Sequence, residues 1–224
     1  RGGTMKIFAD TANLDQIKNL ISCSLIDGVT TNPSLFAKEP KGNFLEMCRE
    51  ISSVCDHNNL PLSVEVFSLD PEDVYKDAIN LVKNVSENLS VKVPIEMKYL
   101  PVITKLSSEG VKINATCGYT ANQLTAAARC GARYVSLFYR RAIDSGEDVK
   151  SHLEITRRFI EYNELDCEII AGSIRKPDDI VSSWANGAHI ATASPAIIEL
   201  GLQHEGTSKS INGFMKDFSE WMKK

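Results

Sequence analysis

The 224-residue chain has no long apolar run, no C-x-x-C pair, no glycine-rich phosphate loop and no block of one charge sign. Each absence removes a class of function. Without a stretch of roughly 20 apolar residues no segment reads as a membrane-crossing helix. Without a charged segment leading into an apolar one, no secretory leader is expected, and a cytoplasmic protein is. The 25 basic and 29 acidic residues are interspersed and sum to a net charge of −4, so small molecules rather than nucleic acid or membrane are the expected partners. Six cysteines (Cys23, Cys48, Cys55, Cys117, Cys130, Cys167) are scattered, and the four histidines (His57, His152, His189, His204) lie far from them in sequence. Neither a disulfide framework nor a metal site is expected, and most cysteines should be reduced core fillers. The lack of G-x-G-x-x-G and P-loop patterns argues against nucleotide binding, and no cofactor is expected.

What is present is alternation. Residues 1–4, ahead of Met5, read as an appended remnant, which leaves 5–224 as the expected domain. Short β-branched runs fall at 6–10, 28–32, 61–67, 91–93, 111–115, 134–138, 167–171 and 189–192. Amphipathic stretches at 14–23, 43–57, 71–84, 97–109, 121–130, 149–163 and 177–185 separate them. Asn13 and Asp70 stand where helix caps are needed, Pro71 suits a first turn, and Gly131 supplies a stop. Strands alternating with helices, without a compositional break, predict an α/β fold, a single (β/α)8 TIM barrel. An open doubly wound sheet is the alternative. At the C-terminus Ile211, Phe214, Phe218 and Trp221 form an apolar helical stripe, which predicts an extra helix over about 210–223. It covers either its own barrel or a neighbouring subunit.

In such a barrel the chemistry sits where strands end, and these ends are polar. The first ends at Asp10 and the second reads Gly28-Val29-Thr30-Thr31-Asn32-Pro33. Glu65 stands between Val64 and Val66, Lys92 between Val91 and Val93, and the fifth strand reads Asn114-Ala115-Thr116. Side chains alternate along a strand, so Thr30 with Asn32, Ser63 with Glu65, Ser90 with Lys92, and Asn114 with Thr116 share faces. The valines take the other face. A lysine in an apolar barrel wall can lose its proton and attack a carbonyl. Each residue also has a plainer reading: Lys92 as a solvated edge residue, Asp10 as a helix cap, Thr30 and Asn32 as turn formers, Glu65 as a mere ion-pair partner. Polar residues converging from five successive strands favour a site, and they should be mutually hydrogen-bonded there.

Several of these segments resemble a known family. Phe8-Ala9-Asp10-Thr11-Ala12-Asn13, Gly28-Val29-Thr30-Thr31-Asn32-Pro33-Ser34, Ser63-Val64-Glu65-Val66 and Val91-Lys92-Val93-Pro94 are similar to the successive signatures of transaldolases, above all the small branch that includes fructose-6-phosphate aldolases. The likeness runs on through Ile113-Asn114-Ala115-Thr116, Ser136, Phe138, Arg141 and Ala171-Gly172-Ser173-Ile174-Arg175. It implies class I chemistry, with Lys92 forming a Schiff base to the C2 ketone of a ketose phosphate. It makes Asp10 the general acid/base and has Glu65 and Thr116 hold the relay water. Thr30, Asn32, Ser136 and Ser173 would then bind substrate hydroxyls or order the network. Arg141 and Arg175 would grip the phosphate, Arg141 rather than Arg140 because Ser136, Phe138 and Arg141 keep the family's intervals. The resemblance also implies sugar-phosphate substrates and a homo-oligomer, a pentamer or decamer.

Within that family glutamate at 65 and phenylalanine at 138 go with transaldolases, glutamine and tyrosine with the aldolases that release free dihydroxyacetone. Both positions here favour transaldolase. Cys117-Gly118-Tyr119, Leu137 and Tyr139-Arg140 depart from the family pattern, and residues 191–195 match it loosely. Other readings are a fructose-6-phosphate aldolase, another class I aldolase barrel, or a barrel that binds sugar phosphates or serves as a scaffold without catalysis.

Overall fold

In the computed structural model, which describes residues 5–223, eight parallel strands close into a barrel in chain order. They are β1 (Lys6–Asp10), β2 (Gly28–Thr30), β3 (Leu62–Glu65), β4 (Ser90–Pro94), β5 (Lys112–Gly118), β6 (Tyr134–Phe138), β7 (Glu168–Gly172) and β8 (Ile190–Ala193). The helices are α1 (Leu14–Ser22), α2 (Pro33–Phe36), α3 (Phe44–His57), α4 (Pro71–Asn84), α5 (Leu100–Ser108), α6 (Ala121–Arg129), α7 (Tyr139–Asp144), α8 (Val149–Tyr162), α9 (Pro177–Ala185), α10 (Pro195–Leu200) and α11 (Glu205–Trp221). The remnant expected at 1–4 lies outside the described residues. No helix among them is long and apolar enough to cross a membrane.

Local chemistry sets the starts of the helices. The Asn13 side chain accepts the Gln16 N–H, and Asp70 accepts those of Glu72 and Asp73 ahead of Pro71. The stretch expected as one helix over 97–109 splits into a 3-10 turn, Met97–Tyr99, and α5, because Pro101 in the first turn has no N–H to donate. β5 runs past its expected end to Gly118 through a register shift after Ala115. α11 begins at Glu205, earlier than expected, where His204 caps it by accepting the Gly206 N–H at 3.0 Å.

Alternation divides the apolar residues between two cores. Val29, Val64, Val66, Val91 and Val93 point outward and join the large core under the helices. Phe8, Tyr134, Ile170 and Ile190 form a separate plug inside the barrel, with the Phe8 and Tyr134 rings edge to face at 6.3 Å. Gly28 makes room for this plug, since a Cβ there would lie 2.6 Å from the Phe8 ring. Two residues further along the same faces stand Asp10, Ser136, Gly172 and Thr192, which line the cavity above. The plug is the floor of the site.

Candidate active site

The barrel mouth holds a cavity of about 440 Å³. Its walls carry Asp10, Thr30, Asn32, Glu65, Lys92, Thr116, Ser136, Phe138, Arg141 and Ser173 from the sequence-derived set. The sheet register explains how they meet: Asp10 pairs with Thr30, Glu65 with Lys92, Lys92 with Asn114, and Pro94 with Thr116. Strand ends placed side by side bring their inward side chains to a common height.

Lys92 is buried and lies at the centre of the group. Its Nζ donates to the Thr31 carbonyl oxygen at 2.8 Å and lies 3.0 Å from Glu65 Oε2. Asp10 accepts a hydrogen bond from Thr30 Oγ1 at 2.8 Å, and Thr30 Oγ1 is 2.6 Å from Thr192 Oγ1. With Thr30 donating to the carboxylate, Thr192 donates to Thr30, so two hydroxyls in series end on Asp10. Burial pushes the Asp10 carboxyl above its ordinary range, and the nearby Lys92 and the Thr30 hydrogen bond only partly oppose this. A carboxyl that gains and loses a proton more nearly at neutral pH suits acid/base work.

A second network lies beneath Lys92. Ser136 Oγ donates to Asn114 Oδ1 at 2.7 Å, and Asn114 Nδ2 donates to Ser63 Oγ at 3.1 Å. Thr116 Oγ1 is fully buried and has no hydrogen-bond partner among the described residues. Such a hydroxyl is expected to take a water or a ligand. Asn32 uses its carbonyl oxygen to accept the Leu35 N–H at 3.1 Å, capping α2, which leaves its amide nitrogen as a donor for a ligand.

The anion-binding candidates separate. The Arg141 guanidinium lies 4.6 Å over the Phe138 ring at the rim, and Phe138 meets Tyr119 edge to face at 6.0 Å. Arg175 does not line the cavity: its Nη1 donates to Asp144 Oδ2 at 2.6 Å, with both side chains about half exposed. Cys117 and Ser173, both in the cavity wall, hold left-handed backbone at φ 62° and 58°. For residues other than glycine this costs on the order of 1–3 kcal/mol, a strain typical of binding sites.

Strand parity had placed Asn114 on the inward face with Thr116, and it lines the cavity, whereas Lys38, Thr192 and Cys117 were missed as lining residues. Thr192 could have been found by strand parity from Ile190. Lys38 follows the short α2 and carried no periodic signal; it makes no ion pair among the described residues. With Lys38, Lys92 and Arg141 against Asp10 and Glu65, the cavity has three basic and two acidic side chains, which favours an anionic ligand. No cluster of three or more His, Cys, Asp or Glu able to hold a metal occurs among the described residues.

A family model described as transaldolase/fructose-6-phosphate aldolase matches residues 7–224. A probable transaldolase of Clostridium acetobutylicum is 40% identical over 216 residues, covering 96% of this chain and 98% of the relative. One of Caldicellulosiruptor saccharolyticus is 40% identical over 221 residues, covering 98% and 100%. One of Methanococcus maripaludis is 40% identical over 215 residues, covering 96% and 97%.

Proposed function

The chain belongs to the transaldolase/fructose-6-phosphate aldolase family, and on that premise we propose that it is a transaldolase of the cytoplasmic pentose phosphate pathway. It moves a dihydroxyacetone unit from fructose 6-phosphate or sedoheptulose 7-phosphate to erythrose 4-phosphate or glyceraldehyde 3-phosphate. The observation that carries this reading is a buried strand lysine, 3.0 Å from one carboxylate, sharing a cavity with a second carboxylate of raised pKa.

The Lys92 amine adds to the C2 ketone, and loss of water from the carbinolamine leaves a protonated imine. Glu65 and the unpartnered Thr116 hydroxyl hold the water that carries protons through this step. Asp10 takes the C4 hydroxyl proton, the C3–C4 bond breaks, and its electron pair moves into the imine to give an enamine. The aldose phosphate leaves; the enamine attacks an acceptor aldehyde, which receives a proton from Asp10, and hydrolysis frees Lys92. Thr30, Asn32 and Ser136 order the sugar hydroxyls. Ser173 joins them from the turn after β7, while Arg141 and Arg175 bind the phosphate, with Arg175 leaving Asp144, an exposed pairing worth about 0–1 kcal/mol.

Product analysis tests the transfer. With fructose 6-phosphate alone little free dihydroxyacetone should form, and adding erythrose 4-phosphate should start turnover. Rapid release without an acceptor would instead mark a fructose-6-phosphate aldolase.

The chain acts as a homo-oligomer of five or ten copies. On α11, Ile211, Phe214, Phe218 and Trp221 are each more than half exposed, and α11 has no buried residue. An apolar stripe of this kind on a stable helix requires a cover. Light scattering should give a mass of five or ten chains, and replacing Phe214 and Phe218 by serine should lower it; a monomer for the unaltered chain would overturn this.

A further inference from the structure

The two consecutive arginines of α7 part company. Arg141 lies over Phe138 at the cavity. Arg140 turns to α9, where its Nε donates to Asp179 Oδ2 at 2.8 Å and its Nη2 to Asp179 Oδ1. Asp179 is 1% exposed, and its Oδ2 also accepts the backbone N–H groups of Arg175 at 3.1 Å and Lys176 at 3.2 Å. Burial raises the Asp179 carboxyl, but the Arg140 fork and the two backbone donors outweigh it and hold the group below the ordinary carboxylate range.

One carboxylate therefore joins two parts of the rim: α7, which carries Arg141, and the turn after β7, which carries Ser173 in its left-handed conformation and Arg175. A two-pronged guanidinium–carboxylate pair fixes direction as well as distance. Its net stabilisation is small, because desolvating both charges offsets most of their attraction. Its geometric effect is larger. The exposed Arg175–Asp144 pair links the same two parts but exchanges easily, so only the buried pair holds the backbone of the turn.

We propose that Arg140 and Asp179 are positioning residues that clamp α7 to the turn after β7, so that Arg141 and Ser173 converge on one sugar phosphate that the clamp itself does not touch. The proposal rests on the reading of the cavity as a sugar-phosphate site. It makes preference for phosphorylated over unphosphorylated substrates depend on two residues outside the cavity.

The test compares Arg140→Gln, Asp179→Asn and the double variant with the unaltered protein. Calorimetry measures affinity for inorganic phosphate, steady-state kinetics with erythrose 4-phosphate as acceptor give KM and kcat for fructose 6-phosphate, and borohydride trapping with dihydroxyacetone reports Lys92 without any phosphate. A displacement of about 1 Å at the rim should weaken phosphate binding and raise KM about tenfold or more. Dihydroxyacetone trapping should be unchanged and kcat within about twofold, as for a loss confined to binding. The double variant should lose no more than either single one, since all three open the same clamp. It also leaves no unpaired buried charge, so it keeps the measurement possible if Arg140→Gln does not fold. Unchanged phosphate affinity and KM, or a loss that falls equally on dihydroxyacetone trapping, would overturn the clamp. If the unaltered protein traps no sugar at Lys92 while phosphate binding still falls in the variants, the transaldolase reading fails and the clamp stands.

Discussion

Lys92→Arg should leave a folded barrel with turnover lower by about four orders of magnitude or more, the scale seen when a covalent nucleophile is removed. Arginine keeps a positive charge beside Glu65 and a long apolar stem in the wall, so the buried ion pair survives in kind. A guanidinium does not release its proton in a protein and forms no imine under these conditions. The larger head group, at a position 6% exposed, should cost about 1–3 kcal/mol through overpacking. That corresponds to a fall in Tm of several degrees, since about 1 kcal/mol is worth roughly 2–4 °C at this length. The check is a thermal melt, a transfer assay with fructose 6-phosphate and erythrose 4-phosphate, and borohydride trapping on one preparation. A variant that melts normally and keeps more than about one hundredth of the turnover would remove Lys92 from the chemistry, because no nucleophile tolerates that exchange.

The alanine variant would be a poorer probe. It would leave the Glu65 carboxylate without its cation and a void where the lysine stem packs, and both losses would be confused with lost catalysis.

Legibility in the sequence followed the physics of alternation. A strand ties spacing to facing, so Thr30, Glu65, Lys92, Asn114 and Thr116 could be assigned to one interior from their neighbours alone. The barrel then placed them together. The floor plug of Phe8, Tyr134, Ile170 and Ile190 obeys the same rule but was hidden, because apolar residues on the inner and outer faces look alike until the register is known. The helices α2, α7 and α10 were missed for a different reason: at four to six residues they are too short to show a helical period. They follow β2, β6 and β8 at the mouth, and two of the three, α2 and α7, adjoin or carry Lys38, Arg140 and Arg141. The Arg140–Asp179 pair spans 39 residues, and only barrel closure brings its halves together. Cys117 and Ser173 gave no hint of left-handed backbone, since neither is glycine; the surrounding structure imposes it. The stripe on α11 was readable from spacing, whereas its cover belongs to another molecule in the reading advanced above.

Asp10→Asn separates catalysis from stability in opposite directions. Asparagine can still accept the Thr30 hydroxyl at its Oδ1, so the two-hydroxyl chain from Thr192 keeps its end point. It cannot take the C4 hydroxyl proton, and turnover should fall about 10²–10⁴-fold, the usual contribution of a positioned acid/base. Stability should move the other way. The Asp10 carboxyl is raised in the folded protein, chiefly by burial, so the folded state binds its proton more tightly than the unfolded chain does. Its contribution to stability is fully present below the unfolded pKa, near 3.9, and is lost as pH rises through the folded value. Above the unfolded pKa the folded protein therefore keeps this carboxyl buried at a net cost, and asparagine relieves it. The melting temperature of Asp10→Asn should exceed that of the unaltered protein by a few degrees at pH 7 to 8, the scale of about 1 kcal/mol, and the gap should close toward pH 4. Melts across that range, paired with the transfer assay, read both effects. A gap that widens on acidification would show that Asp10 stabilises the barrel as a carboxylate, and its proton would then be unavailable for the aldol step. A gap that closes as expected would identify Asp10 as a site where stability is given up so that a proton can be held and returned.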